Sequence, residues 1–134
     1  MKPPVWYNDK VMADPKKILV VDDEKDLLMI LSTRLKIAGY VVTTATNGAE
    51  GLGMVMADKP DLVVLDLMMP KMDGWEVLKN IRQNDTTRDL PVILLTAKGD
   101  MHTIDESKRQ LATDYFIKPY EMNELLAFIQ RYLK

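Results

Sequence analysis

The sequence predicts an α/β fold, a five-stranded parallel sheet covered on both faces by five helices. Three observations carry this. Short apolar runs, each typical of a strand buried on both faces, alternate five times with stretches whose apolar residues recur at helical spacing. Four of the five runs end in a polar or charged residue, as strands do at the ligand-binding edge of such sheets. The length of 134 residues suits one domain and leaves little room for a second. Strand–helix alternation then implies right-handed crossovers.

Residues 1–16 read as an irregular lead-in, with three prolines and neither periodicity. The regular pattern starts at Lys17. Ile18-Leu19-Val20-Val21 forms the first strand and runs into Asp22-Asp23. Leu27, Leu31 and Leu35 mark the first helix, closed by Gly39. Tyr40-Val41-Val42-Thr43-Thr44-Ala45 is β-branched and forms the second strand. Ala49, Leu52, Val55 and Met56 mark a second helix, against which Gly51 and Gly53 each weigh by about 1 kcal/mol. Leu62-Val63-Val64-Leu65 is the third strand and leads into Asp66.

A loop containing Pro70 and Gly74 follows, with Gly74 expected to supply a positive φ. Val77, Leu78 and Ile81 then mark a third helix. Pro91-Val92-Ile93-Leu94-Leu95 is the fourth strand, with its proline at the first position, where a missing N–H is harmless. Residues 100–112 read as a polar, weakly amphipathic helix. Tyr115-Phe116-Ile117 is a short fifth strand, and Leu125, Leu126, Ile129 and Leu133 mark the last helix.

Composition removes several functions. The net charge of -2 offers no basic footprint for nucleic acid. The absence of cysteine excludes disulfides, thiolate metal sites and cysteine nucleophiles. No apolar run approaches the roughly 20 residues of a membrane span. The first residues lack the apolar core of a secretory signal. A cytoplasmic location is the expectation.

The chemistry gathers at strand ends: Asp22-Asp23 after the first strand, Asp66 after the third, Thr96 after the fourth and Lys118 after the fifth. Three converging carboxylates need a counter-charge. A hard divalent cation supplies it, and oxygen ligands without His or Cys favour magnesium over zinc. The metal and Lys118 together would attract a phosphate that the acids alone would repel. Thr96 adds a hydroxyl donor to a phosphoryl oxygen. With no Ser, Cys or His in the crevice, a carboxylate must be the nucleophile, and Asp66, the lone acid on a central strand, is the candidate.

Four segments, Val20-Val21-Asp22-Asp23-Glu24, Asp66-Leu67-Met68-Met69-Pro70-Lys71-Met72-Asp73-Gly74, Leu95-Thr96-Ala97-Lys98 and Ile117-Lys118-Pro119-Tyr120, resemble the receiver domains of two-component response regulators. The resemblance covers residues 17–133 in the family's order and spacing, and residues 17–134 are read as the receiver domain. It implies a flavodoxin-like, doubly wound sheet of order 2-1-3-4-5, an order carried over from the family and not read from this sequence. It also implies Asp66 as the phosphoacceptor. Magnesium would be held by Asp23, Asp66 and the backbone carbonyl of Met68, with Asp22 acting through water. Lys118 would pair with the phosphoryl group across a cis bond to Pro119. Thr96 and Tyr115 would form the switch.

The implied donor is a histidine kinase or a histidine phosphotransfer protein, and the implied reader a downstream effector. The state implied is a monomer or a phosphorylation-dependent dimer. Such a protein catalyses its own phosphorylation and dephosphorylation but is first a signalling switch. The sequence leaves open whether it acts alone or as the receiver of a longer protein. Leu111 stands where many relatives carry glycine, and Tyr120 where phenylalanine is commoner.

Taken singly, these residues have plainer explanations. Two acids at a strand end are often a solvated turn, Thr96 could be a helix cap, and Lys118-Pro119 a turn. Tyr115 could be a half-buried sheet residue, Asp61 the end of a loop, and His102 an exposed helical residue. It is their joint order that carries the argument. An Asp-nucleophile phosphatase is one alternative, but it wants an aspartate two residues after the nucleophile, where Met68 stands. A flavin site would need a Ser/Thr/Gly loop in place of Asp22-Asp23-Glu24. A scaffold receiver that is never phosphorylated is the remaining alternative.

Overall fold

A computed structural model describes residues 15–67, 69, 74–97 and 111–133 of the chain. Its sheet has five parallel strands in the order β2-β1-β3-β4-β5. They are β1 (Lys17–Val21), β2 (Val41–Ala45), β3 (Leu62–Asp66), β4 (Val92–Ala97) and β5 (Asp114–Lys118). Four helices are seen among the described residues: α1 (Lys25–Ile37), α2 (Gly48–Asp58), α3 (Gly74–Gln83) and α4 (Met122–Tyr132). Most of the helix expected over 100–112 lies outside the described residues, while Leu111 and Ala112 fall in the turn leading to β5. The expected lead-in, with Trp6 and Tyr7, and His102 also lie outside them.

Strand alternation sorts the core into two layers. Ile18, Val20, Leu62, Val64, Ile93 and Leu95 face α1 and α4, meeting Leu28, Leu31, Leu35, Leu125 and Ile129. Leu19, Val21, Val63, Leu65, Val92 and Leu94 face α2 and α3, meeting Val55, Val77, Leu78 and Ile81. The central strands β1, β3 and β4 are thus buried on both faces, which is why their sequences read as unbroken apolar runs. The edge strand β5 is only half buried.

On α1 the buried stripe is Leu28, Leu31, Ser32 and Leu35. Leu27, expected in that stripe, is only partly buried and sits at its margin, with Leu28 buried beside Leu31 and Leu35 instead. The second helix forms despite its glycines. Its Asn47 cap accepts the Glu50 N–H at 2.8 Å, and Lys59 closes it in the left-handed region at φ 49°. Gly51 is required there, since a Cβ would stand 2.8 Å from a Val21 methyl, whereas Gly53 has open space around it. Asp61 ties the sheet's lower edge, its carboxylate accepting the Lys17 N–H at 2.8 Å.

Candidate functional site

The carboxyl edge of the sheet brings the expected residues to one place. Asp22 follows β1 directly, and Asp66 is the last residue of the neighbouring β3. Both are 2% exposed, while Asp23 is exposed to solvent. Carboxylate oxygens of Asp22, Asp23 and Asp66 all lie within 4.8 Å of one another. From β5, two strands away, Lys118 reaches back so that its ammonium stands 3.1 Å from an Asp66 oxygen and 4.0 Å from an Asp22 oxygen. The peptide bond from Lys118 to Pro119 is cis, as the resemblance implies.

Local bonds hold these groups in place. The Glu24 N–H donates to Asp22 Oδ1 at 2.9 Å, turning the chain into α1. The Leu67 N–H donates to the Leu95 carbonyl at 2.9 Å, keeping the chain after Asp66 on the sheet. Gly74 then returns onto that backbone, its N–H donating to the Leu67 carbonyl at 3.0 Å. Gly74 opens α3 without the positive φ expected of it; a Cβ there would stand 2.7 Å from Leu67 Cα, so it is close packing and not turn geometry that demands glycine.

Electrostatics reflects three acids around one cation. Burial pushes the Asp22 carboxyl up to about 6, the charge of Asp66 adds to this, and the Glu24 amide and Lys118 oppose it. Burial works to lower the Lys118 ammonium, but the hydrogen bond and charge of Asp66, with Asp22 and Glu24, hold it above its usual value. The cluster keeps a net deficit of positive charge. Oxygen ligands only, with a buried carboxylate resisting ionisation, fit a small hard divalent cation.

Thr96 is fully buried near the end of β4, and its hydroxyl donates to the Ala97 carbonyl at 3.2 Å. Tyr115 is half buried and packs on the α2–α3 layer of the core. Met68 and Lys98 lie outside the described residues. Two neighbours were undervalued in the sequence. Tyr120 packs on the other layer close enough for its hydroxyl to feel Asp22, Lys118, Asp66 and Glu24, a consequence of its place two residues after Lys118. Leu27 joins Pro119, Tyr120 and Met122 around a cavity of about 390 Å³ beside Lys118.

Residues 18–130 match the family described as the response regulator receiver domain. The chain belongs to that family. It is thus a receiver of two-component signalling. A probable transcriptional regulator, ycf27, of Guillardia theta is 43% identical over 119 residues, covering 89% of this chain and 46% of that protein. The DNA-binding dual master transcriptional regulator RpaA of Synechocystis is 36% identical, covering 88% of this chain and 49% of its own. The receiver therefore spans about half the length of the curated relatives it matches.

Among solved structures, the chemotaxis response regulator CheY4 of Vibrio cholerae superposes with a TM-score of 0.80 at 30% identity, over 89% of this chain and 99% of that one. The response regulator TrrA of Thermotoga maritima, solved in complex with Mg2+ and BeF, gives 0.77 at 35% identity, over 87% and 98%. No helix among the described residues is long and apolar enough to cross a membrane.

Proposed function

We propose that the chain is the phosphoryl-accepting switch of a two-component relay, with Asp66 as the acceptor. One observation carries this reading. Asp66 is a buried carboxylate beside two further acids, with an ammonium 3.1 Å from its oxygen. A purely structural ion pair would have no use for Asp22 and Asp23 on the same spot.

The acids that would hold Mg2+ are Asp23 and Asp66, with Asp22 through water, joined by the Met68 carbonyl that the family resemblance implies. When bound, the ion offsets charge building on a transferred phosphoryl group. The remaining steps belong to the chain. An Asp66 oxygen attacks the phosphorus of a phosphohistidine, the N–P bond breaks, and the imidazole leaves with a proton from solvent. Lys118, already at Asp66, pairs with the incoming phosphoryl oxygens. In hydrolysis, water attacks the phosphorus, the O–P bond breaks, and the Asp66 carboxylate and inorganic phosphate are released.

The switch is assigned to Thr96 and Tyr115. A phosphoryl oxygen at Asp66 would draw the Thr96 hydroxyl from the Ala97 carbonyl, and Tyr115 would turn into the space behind it. Thr96→Ala should therefore accept phosphate yet weaken phosphorylation-dependent partner binding. The donor is a histidine kinase or phosphotransfer protein in the cytoplasm. RpaA is named as DNA-binding, so an output through DNA is the reading for a longer regulator of that kind. There the DNA contact falls to the half this receiver does not match, in keeping with the net charge of -2 here.

The deciding experiment is labelling by acetyl phosphate in Mg2+ buffer. Asp66→Asn, which keeps the shape but lacks the attacking oxygen, should take no label, and Asp23→Ala very little. Undiminished labelling of Asp66→Asn excludes the acceptor, and a wild-type protein that takes no label from either acetyl phosphate or a histidine kinase favours the scaffold alternative.

A further inference from the structure

Away from the acidic crevice, the side chain of Arg82 makes a clasp that nothing in the phosphoryl chemistry requires. It projects from the last turn of α3 and donates to three backbone carbonyls. Nε reaches Leu111 at 2.7 Å, and NH1 reaches Leu90 at 2.6 Å and Arg88 at 3.0 Å. Leu90 stands two residues before β4 and Leu111 three before β5. Just beyond them the two strands are joined by a reciprocal pair. The Thr113 N–H donates to the Val92 carbonyl at 2.9 Å, and the Val92 N–H donates to the Thr113 hydroxyl at 2.9 Å.

Among the described residues the fork of Arg82 serves carbonyls and forms no ion pair. That service sets it against its own solvation: burial lowers its affinity for the proton, with the charge of Asp89 opposing. The other end of α3 rests on the site, since Gly74 is bonded to and packed against the backbone of Leu67, next to Asp66. One ten-residue helix thus links the acceptor strand to the entrances of β4 and β5, the strands that carry Thr96, Tyr115 and Lys118.

We propose that Arg82 is a positioning residue of the switch, holding the entrances of β4 and β5 fixed while their carboxyl ends respond at the phosphoryl site. The inference rests on the receiver reading above. A strand pulled at one end and free at the other shifts as a whole and spends the displacement along its length. A strand pinned at its far end must turn about the pin, and the displacement appears at the surface near Thr96 and Tyr115. An arginine suits this because its planar fork spans several acceptors, where a lysine acts as a single flexible point.

The test is amide hydrogen exchange at Val92 and Thr113, with and without Mg2+ and beryllofluoride as an aspartyl-phosphate mimic. In the wild type both amides should keep their exchange rates within twofold on adding the mimic. In Arg82→Lys, and in Arg82→Gln should the lysine variant fail to fold, they should exchange at least fivefold faster with the mimic bound but change little without it. Acetyl phosphate labelling of Asp66 should be retained. An equal rise in both states would make Arg82 a structural staple and overturn the proposal, as would no rise in either. If the mimic leaves the exchange of Leu67 unaltered in the wild type, the receiver reading fails instead, and this inference with it.

Discussion

The ammonium of Lys118 stands 3.1 Å from a carboxylate oxygen of Asp66, although the two residues lie 52 positions apart in the chain and two strands apart in the sheet. Parallel register makes this possible. Leu95 of β4 lies opposite Asp66, and Ala97 lies opposite Lys118, so the ends of three strands step toward one crevice. One cation faces three acids there, and the imbalance leads to the first prediction.

Without metal, Asp22 is a liability at neutral pH. Its folded value of about 6 lies above its ordinary 3.8, so the fold favours the protonated acid. The resulting stabilisation is full below pH 3.8 and is lost as pH rises through about 6. Metal-free protein should thus lose stability between about pH 4 and pH 6 relative to Asp22→Asn, and the variant should melt higher at pH 7. Mg2+ should reverse the order, binding more weakly below pH 6 because the carboxylate must ionise first. Thermal melts at three pH values, with EDTA or Mg2+, check this. Parallel melting curves for the two proteins across the range would refute it.

Gly51 and Gly53 of α2 should respond in opposite directions to alanine. Gly53→Ala adds a methyl into open space and should raise stability by about 1 kcal/mol through helix propensity alone. Gly51→Ala drives a Cβ to within 2.8 Å of a branched Val21 methyl with no soft end to yield. Overpacking of this kind costs about 1–3 kcal/mol, which exceeds the propensity gain. Urea midpoints should move up for the first variant and down for the second, and Mg2+ affinity should fall in the second, since Val21 carries Asp22.

The first helix should serve as a docking face for the donor. Met29 is 68% exposed and Ile30 52% exposed, one turn into a helix that begins beside the acids. Leu27, one turn before Ile30, walls a cavity with Pro119 and Tyr120 beside Lys118, while Met29 lies toward Thr44 on the β2 side. The expected occupant is the helical bundle that presents the phosphohistidine. Met29→Glu or Ile30→Glu should slow transfer from the cognate kinase about tenfold or more, consistent with the loss of one or two buried side chains. Labelling by acetyl phosphate should be unchanged, and equal slowing with both donors would rule the face out.

The lifetime of a phosphoryl group on Asp66 should depend on two positions beyond the described residues, Met68 and Lys98, two after Asp66 and two after Thr96. A methionine offers no useful acceptor and a lysine only donors, so neither orients an attacking water. Self-hydrolysis should take on the order of minutes or longer, a barrier of roughly 21 kcal/mol. Met68→Asn with Lys98→Glu should shorten it several-fold. Loss of acid-labile phosphate within a few seconds in the wild type would contradict this.

Much of the site was legible because its residues sit at strand ends, and strand ends are marked where an apolar run stops. Asp22, Asp66, Thr96 and Lys118 were all found that way. Arg82 was not. It is one more arginine on a polar helix face, and its acceptors are backbone carbonyls, which carry no residue identity for a sequence to display. Gly51 was misjudged for a similar reason, since helix propensity is local and the Val21 methyl it accommodates belongs to another element.

By itself the sequence determined the five strands, the four described helices and the list of polar residues at the carboxyl edge, because alternation and periodicity are written along one chain. Tertiary structure alone decided which residues of α1 are fully buried, leaving Leu27 at the margin and Met29 and Ile30 exposed, since burial depends on what α4 and the sheet offer each position. It also decided that Asp22 is buried while Asp23 faces solvent. Two adjacent acids are equivalent in sequence, and only the packing around each determines which one gives up water, and with it which one resists losing its proton.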